Sequence, residues 1–204
     1  MYRLVHSSYS NTQPIVASSF SHVVDYMNKY DCIFITAYRS EYSHKQNIKR
    51  NKQLADDIHS SELTYIKAKG GFIETIADGD KIRVTEDTFC VVNNRYRTED
   101  FIKLGVSWCK KYDQDAVLIT TPTQNKNRNY ALNVVGRYYT QSGAIDMKFD
   151  NATIQDAEEY FTNICGKDFV LSSTELFATD YMPYSTTAGY VMAKRLFRAK
   201  YPDL

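Results

Sequence analysis

Three short apolar runs constrain this chain more than any other feature: "CIFITA" from Cys32, "TFCVV" from Thr88 and "AVLIT" from Ala116. They are rich in β-branched and aromatic residues and lack the in–out alternation of a strand wetted on one face, so they read as strands covered on both faces. Two helical patterns lie between them. After Ser43, Ile48, Asn51, Ala55 and Ile58 recur three and four apart, and after Thr98 so do Phe101, Gly105, Trp108 and Tyr112. Ser43 suits an N-cap, and Thr98-Glu99-Asp100 puts a cap and negative charge where a helix dipole is positive. Strand, helix, strands, helix, strand is the order of a split βαβ unit. The expected fold is therefore α/β (α+β), a mixed sheet with a ferredoxin-like core and helices mainly on one face.

Weaker signals fill in the rest. Ser18 or Ser19 can cap a first helix carrying Phe20, Val23, Val24 and Met27. Strands are expected at 63–68 and 72–76, broken at Gly70-Gly71, then at 81–84 and 87–92 after the turn Ala77-Asp78-Gly79-Asp80. Beyond Pro122 a polar connector leads to a hairpin that pairs 130–139 with 144–149 across Gln141-Ser142-Gly143. A helix is expected from Thr153, with Ile154, Ala157, Phe161 and Ile164 inward and Gly166 as its stop, and a basic one over 185–201. The 204 residues suit a single domain, 1–204, with 31–122 as the core unit and 123–204 as a C-terminal extension packed on it.

Lys and Arg number 25 against 24 acids, so no bulk attraction to nucleic acid or membrane is expected; basic stretches such as "NNRYRTED" would leave a small footprint at most. Cys32, Cys90, Cys109 and Cys165 form no CxxC pair and read as buried residues of a reducing compartment. No run approaches the roughly 18 apolar residues of a membrane span, and no signal-peptide core follows Met1. A soluble, cytoplasmic protein with no membrane partner is expected.

Signatures of catalysis are sparse. There is no Gly-rich phosphate loop, GxSxG elbow or HExxH. His6-Ser7-Ser8 and His59-Ser60-Ser61 fit the His-x-Ser pattern of two-histidine phosphoesterases, but the second falls at a helix end rather than on a strand. Asn47 and Asn51 project from one side of a helix. Either they anchor a loop from within the core, or they face a cleft together with Arg39, which lies just past a strand end where anions often bind. Glu74 and Glu86 stand beside apolar runs. They could act as acid and base or hold a divalent ion, or simply pair with Lys67, Lys69 or Arg83 across a sheet. No metal site and no cofactor is expected.

The residues Ile35-Thr36-Ala37, Asn47, Asn51, Leu54, Gly70-Gly71, Glu74, Glu86, Phe89, Tyr112, Gln114 and Asp115-Ala116-Val117 resemble an uncharacterised domain family of bacteria and bacteriophages, over about 32–122. That family commonly has Pro or Asn after the initial "ITA", where this chain has Tyr38-Arg39. The resemblance implies site positions at Thr36, Asn47, Asn51, Glu74 and Glu86 and supplies no reaction. The Tyr-rich extension looks like a bacteriophage version.

The leading reading is a non-catalytic, phage-encoded accessory protein acting in the host cytoplasm by binding a host protein, a nucleotide or nucleic acid. Its grounds are the missing catalytic set and 17 Tyr, a residue favoured at interfaces. The alternatives are an enzyme of nucleotide or phosphoester chemistry, with Glu74 or Glu86 as base, Arg39 on a phosphate and Asn51 orienting the substrate, and a structural or assembly subunit.

Overall fold

The computed structural model describes residues 20–39, 41–75, 81–123, 133–149, 152–155, 160–164 and 167–173. In chain order these form α1 (Phe20–Met27), β1 (Cys32–Ile35), α2 (His44–Ser60), β2 (Thr64–Thr75), β3 (Lys81–Val92), α3 (Thr98–Lys111), β4 (Ala116–Pro122), β5 (Val134–Thr140), β6 (Ile145–Phe149), β7 (Ala152–Gln155), β8 (Tyr160–Ile164) and β9 (Lys167–Ser173). The sheet order is β6-β5-β4-β1-β3-β2-β8-β9-β7. Paired neighbours are antiparallel, so β1 and β2 run parallel with β3 between them, and β3 and β4 run parallel with β1 between them. The central order β4-β1-β3-β2 is the split βαβ arrangement read from the sequence.

The apolar runs are buried on both faces, as their composition requires. Cys32 and Phe34 point with Cys90, Val92, Ala116 and Leu118 into a layer closed by Val23 and Met27 of α1. Ile33 and Ile35 point the other way with Phe89, Val91, Val117 and Ile119, beneath Leu54 and Ile58 of α2 and Phe101 and Trp108 of α3. Each such buried aliphatic or aromatic side chain contributes about 1.5–3 kcal/mol. Gly105 lets α3 sit close to the sheet, since a Cβ there would stand 2.9 Å from Ile33 Cδ1 and 3.2 Å from Ile119 Cδ1.

β1 is fixed at its amino end by a buried polar cluster. Asn93 Nδ2 donates to Asp31 Oδ2 at 3.2 Å and Thr98 Oγ1 donates to the same oxygen at 2.8 Å. Asn93 also donates to the Tyr96 carbonyl and accepts the Tyr96 amide. The start of β1, the end of β3 and the first turn of α3 thereby meet at one carboxylate.

Several details differ from the sequence reading. The buried residues of α2 are Asn47, Asn51, Leu54 and Ile58, while Ile48 is half exposed; the stripe lies one residue round the helix, because the two asparagines face inward. Gly70-Gly71 does not break the chain: β2 runs through it unshifted, with Gly70 opposite Glu86 and Gly71 opposite Thr85. The helix expected from Thr153 is absent, and 152–155 and 160–164 are the strands β7 and β8. "YFTNI" is rich in strand formers, and pairing with Lys69–Phe72 of β2 outweighs its three-and-four spacing. Cys32, Cys90 and Cys109 are buried free thiols. The expected caps at Ser18 or Ser19, the 76–80 turn, the 124–132 connector, Cys165 and the 185–201 helix lie outside the described residues. Among the described residues no helix is long and apolar enough to cross a membrane.

Candidate functional site

The chemistry gathers at the carboxyl end of β1, where 36–43 leads into α2. That connection has almost no backbone partners of its own, and side chains supply them. Thr36 Oγ1 donates to the Asp87 carbonyl at 2.8 Å and accepts the Tyr38 amide at 3.1 Å. Asn51 Oδ1 accepts the Ala37 amide at 2.7 Å, and its Nδ2 donates to the Asp87 carbonyl at 2.7 Å. Asn47 Oδ1 accepts the Arg39 amide at 3.0 Å, and its Nδ2 donates to the carbonyls of Arg39 and Tyr42 at 2.9 and 3.2 Å.

Arg50 Nε donates to the Ala37 carbonyl at 2.8 Å, Nη2 to that of Tyr112 at 2.6 Å, and its guanidinium lies 4.5 Å over the Tyr42 ring. Gln114 Nε2 donates to the carbonyls of Tyr38 and Tyr112 at 3.1 and 3.2 Å. Buried backbone groups need such partners, and with them satisfied the loop is preorganised. Ser43 completes the join: it accepts the Gln46 amide while the Gln46 side chain accepts the Ser43 amide, a capping box.

Two charged groups are held on this frame. Arg39 Nε donates to Glu41 at 2.8 Å, with Asp115 3.5 Å from Nη1 and Asp113 3.7 Å from Nη2. The bond to Glu41 pushes the guanidinium further toward its charged form. Glu86 is half-buried on β3, and burial pushes its carboxyl up from 4.5 to about 7, with the Arg39 charge pulling the other way. Desolvation, and then the charge and hydrogen bond of Asp87, push the Tyr38 phenol up, so it stays protonated beside the two acids. Near neutrality this end of the sheet carries a carboxyl close to half ionised, a fixed cation and a phenol. Such a group can take up a proton, or release one when a positive ligand arrives.

The structure thus brings Thr36, Arg39, Asn47, Asn51 and Glu86 to one end of β1, with the Asn47 amide bonded to loop backbone and the Asn51 amide bridging the loop to β3. Glu74 is elsewhere along the ribbon. Its backbone faces Ile82, whereas Glu86 faces Gly70, so the register separates their Cα atoms by about 14 Å. Of the His-x-Ser pair, His6-Ser7-Ser8 lies outside the described residues; in the second copy His59 stacks on Tyr65 at 5.2 Å, and the Ser60 and Ser61 hydroxyls donate to the helix carbonyls of Asp56 and Asp57. No three His, Cys, Asp or Glu side chains of the described residues come together as a metal site.

Sequence reasoning passed over Arg50, Tyr38 and Asp87 as members of the site, and took Gln114 only as part of a resemblance. The available signals were slight: a cation next to Asn51, and an amide between two acids at 113–115.

The family model of the S-adenosylmethionine lyases matches residues 33–171, well over half of the chain. The chain belongs to the S-adenosylmethionine lyase family. No curated protein matches it. Membership overturns three expectations: the non-catalytic accessory protein, the leaning against an enzyme, and the reading of the function as unknown. The enzyme alternative fits the family better. The matched span takes in the whole frame around Arg39 and Glu86 and runs on through β8 into β9.

Proposed function

We propose that this chain is a lyase that breaks a carbon–sulfur bond of S-adenosylmethionine at the carboxyl end of β1, with Glu86 as the carboxylate that meets the substrate's positive charge. The observation that carries the reading is the half-buried Glu86, pushed up to about 7 beside a preorganised loop, within the segment that matches the family. A sulfonium sulfur is a charged leaving group already, and it departs as a neutral thioether with the bonding electron pair. A lyase uses no water, so the pair that replaces sulfur on carbon comes from within the substrate, from its own carboxylate oxygen or from an adjacent C–H bond. Neither route needs a metal-bound hydroxide or a nucleophilic triad; both need the chain held in place and its charge opposed.

Ionised Glu86 opposes the sulfonium or accepts a proton from the carbon chain. Arg39 offers its Nη edge, at 3.5 Å or more from Asp113 and Asp115, to the substrate carboxylate. Thr36, Asn47 and Asn51 position the loop rather than touch the substrate. A cytoplasmic location follows from the substrate, and a bacteriophage source remains an expectation drawn from the Tyr-rich extension.

The test is to incubate the full chain with S-adenosylmethionine and weigh the earliest products. The reading expects a thioether and an amino-acid fragment that together have the composition of the substrate with no water added. Unchanged substrate, or a first-formed fragment that has gained water, would contradict it.

A further inference from the structure

The paired residues of β1 and β3 run Cys32–Val92, Ile33–Val91, Phe34–Cys90 and Ile35–Phe89. Continued by two residues, the same register places Ala37 opposite Asp87. The Asp87 carbonyl does point toward β1, because both its donors, Thr36 Oγ1 and Asn51 Nδ2, come from that side. Ala37 and Asp87 are therefore positioned as the next rung of the ladder, yet they do not bond to each other. Asn51 stands between them: its oxygen accepts the Ala37 amide and its nitrogen donates to the Asp87 carbonyl, both at 2.7 Å. In place of one direct bond of about 2.9 Å there are two bonds and a side-chain amide, so the strands are held apart at this point. Arg50, the residue before Asn51, takes the other half of the rung by donating to the Ala37 carbonyl.

The choice of residue matters. Asn51 is buried, and of the side chains short enough to fit there, an amide offers one donor and one acceptor in the fixed geometry of a peptide group. On the β1 side, two residues after Ala37, comes Arg39; on the β3 side, one residue before Asp87, comes Glu86.

We propose that Asn51 is a positioning residue: by replacing one rung of the β1–β3 ladder it holds 37–39 off β3 and sets the separation between the Arg39 guanidinium and the Glu86 carboxyl. The inference rests on Glu86 being the working carboxylate, and it adds the device that keeps that carboxylate accessible. Without the amide, Ala37 and Asp87 can bond directly, β1 lengthens, and Arg39 is drawn toward Glu86.

The test needs no substrate. Full-length protein carrying carboxyl-labelled glutamate is titrated by carbon NMR, with the Glu86 signal assigned by its loss in Glu86→Gln. In Asn51→Leu the Glu86 midpoint is expected to fall by about one pH unit as Arg39 closes in, and the Ala37 amide to exchange more slowly with solvent. A folded Asn51→Leu whose midpoint stays within about a tenth of a unit of the parent overturns the proposal.

If that variant does not fold, Asn51→Asp decides. A protonated carboxyl there offers the same donor and acceptor as the amide, whereas an ionised one has no donor for Asp87. The Glu86 signal should match the parent while the new carboxyl is protonated and depart from it once it ionises; a signal indifferent to that step overturns the proposal. Failure of the lyase reading looks different. Full turnover in Glu86→Gln would remove Glu86 from the reaction while leaving the effect of Asn51 on its titration intact.

Discussion

At the amino end of β1, the Asp31 carboxylate is met by fixed donors from Asn93 and Thr98, and Asn93 is itself tied to the Tyr96 backbone. At the carboxyl end, a comparable effort of side chains goes to the backbone of 36–42, and no hydrogen bond from a described residue reaches the Glu86 carboxyl. Its charge is opposed by Arg39 alone, which Glu41, Asp113 and Asp115 share. Four residues of strand separate a carboxylate whose partners are built in from one whose partner has still to arrive. The first arrangement stabilises the fold. The second costs stability and leaves chemistry to be done, a trade common at functional sites.

Swapping the acids for neutral residues should separate the two roles. Glu86→Gln should lower turnover of S-adenosylmethionine by about 100-fold or more, while the folded state survives and melts higher than the parent at pH 8. Asp31→Ala should do the reverse: a loss of about 1–3 kcal/mol in denaturant unfolding, from stranding the buried Asn93 donor, with turnover per folded molecule unchanged.

Stability of the parent should also fall with pH. The Glu86 carboxyl titrates at about 7 in the folded chain against 4.5 ordinarily, so the folded state holds a proton that the unfolded state has released. Stability is then lost as pH rises through that window and is flat above it. Allowing for partial exposure, the loss is about 1–2 kcal/mol, and it should vanish in Glu86→Gln melting curves taken across the same range. The smallest shift is expected in the titration of Arg39→Leu, apart from the affinity for the substrate carboxylate that losing the cation costs. Removing the charge that draws Glu86 down should raise its midpoint by about one unit and move the acid limb of the pH–rate profile the same way. A midpoint that falls, or does not move, would mean that Glu86 does not sense Arg39.

Much of the fold was legible because burial on two faces leaves a plain trace. β1, the end of β3, β4 and the α3 face of Phe101, Gly105, Trp108 and Tyr112 are continuous or periodic apolar patterns, and their order implies the split βαβ core. Where pairing rather than periodicity decides, the sequence misleads. "YFTNI" reads as one side of a helix until β2 offers it an edge, and Gly70-Gly71 reads as a break until two flanking strands hold it extended.

The site was half legible. Asn47 and Asn51 were marked as polar residues on an inner stripe, but what they bond is set by the path of a loop, and that a residue's own spacing does not record. The enzyme stood second to the binding protein for a chemical reason. Looking for triads, metal ligands and phosphate loops presumes a leaving group that must be activated. A sulfonium brings its activation with it, so a protein that cleaves one has little need of those motifs.

The comparison between the two ends of β1 can be tested without any substitution. Amide hydrogen exchange would be followed by mass spectrometry with and without an unreactive analogue of S-adenosylmethionine in which an amine replaces the sulfonium. The account predicts added protection in 36–43, 85–88 and 112–115, and none in 30–33 or 93–98. Protection confined to the amino end, or no change at the carboxyl end at saturating analogue, would contradict it.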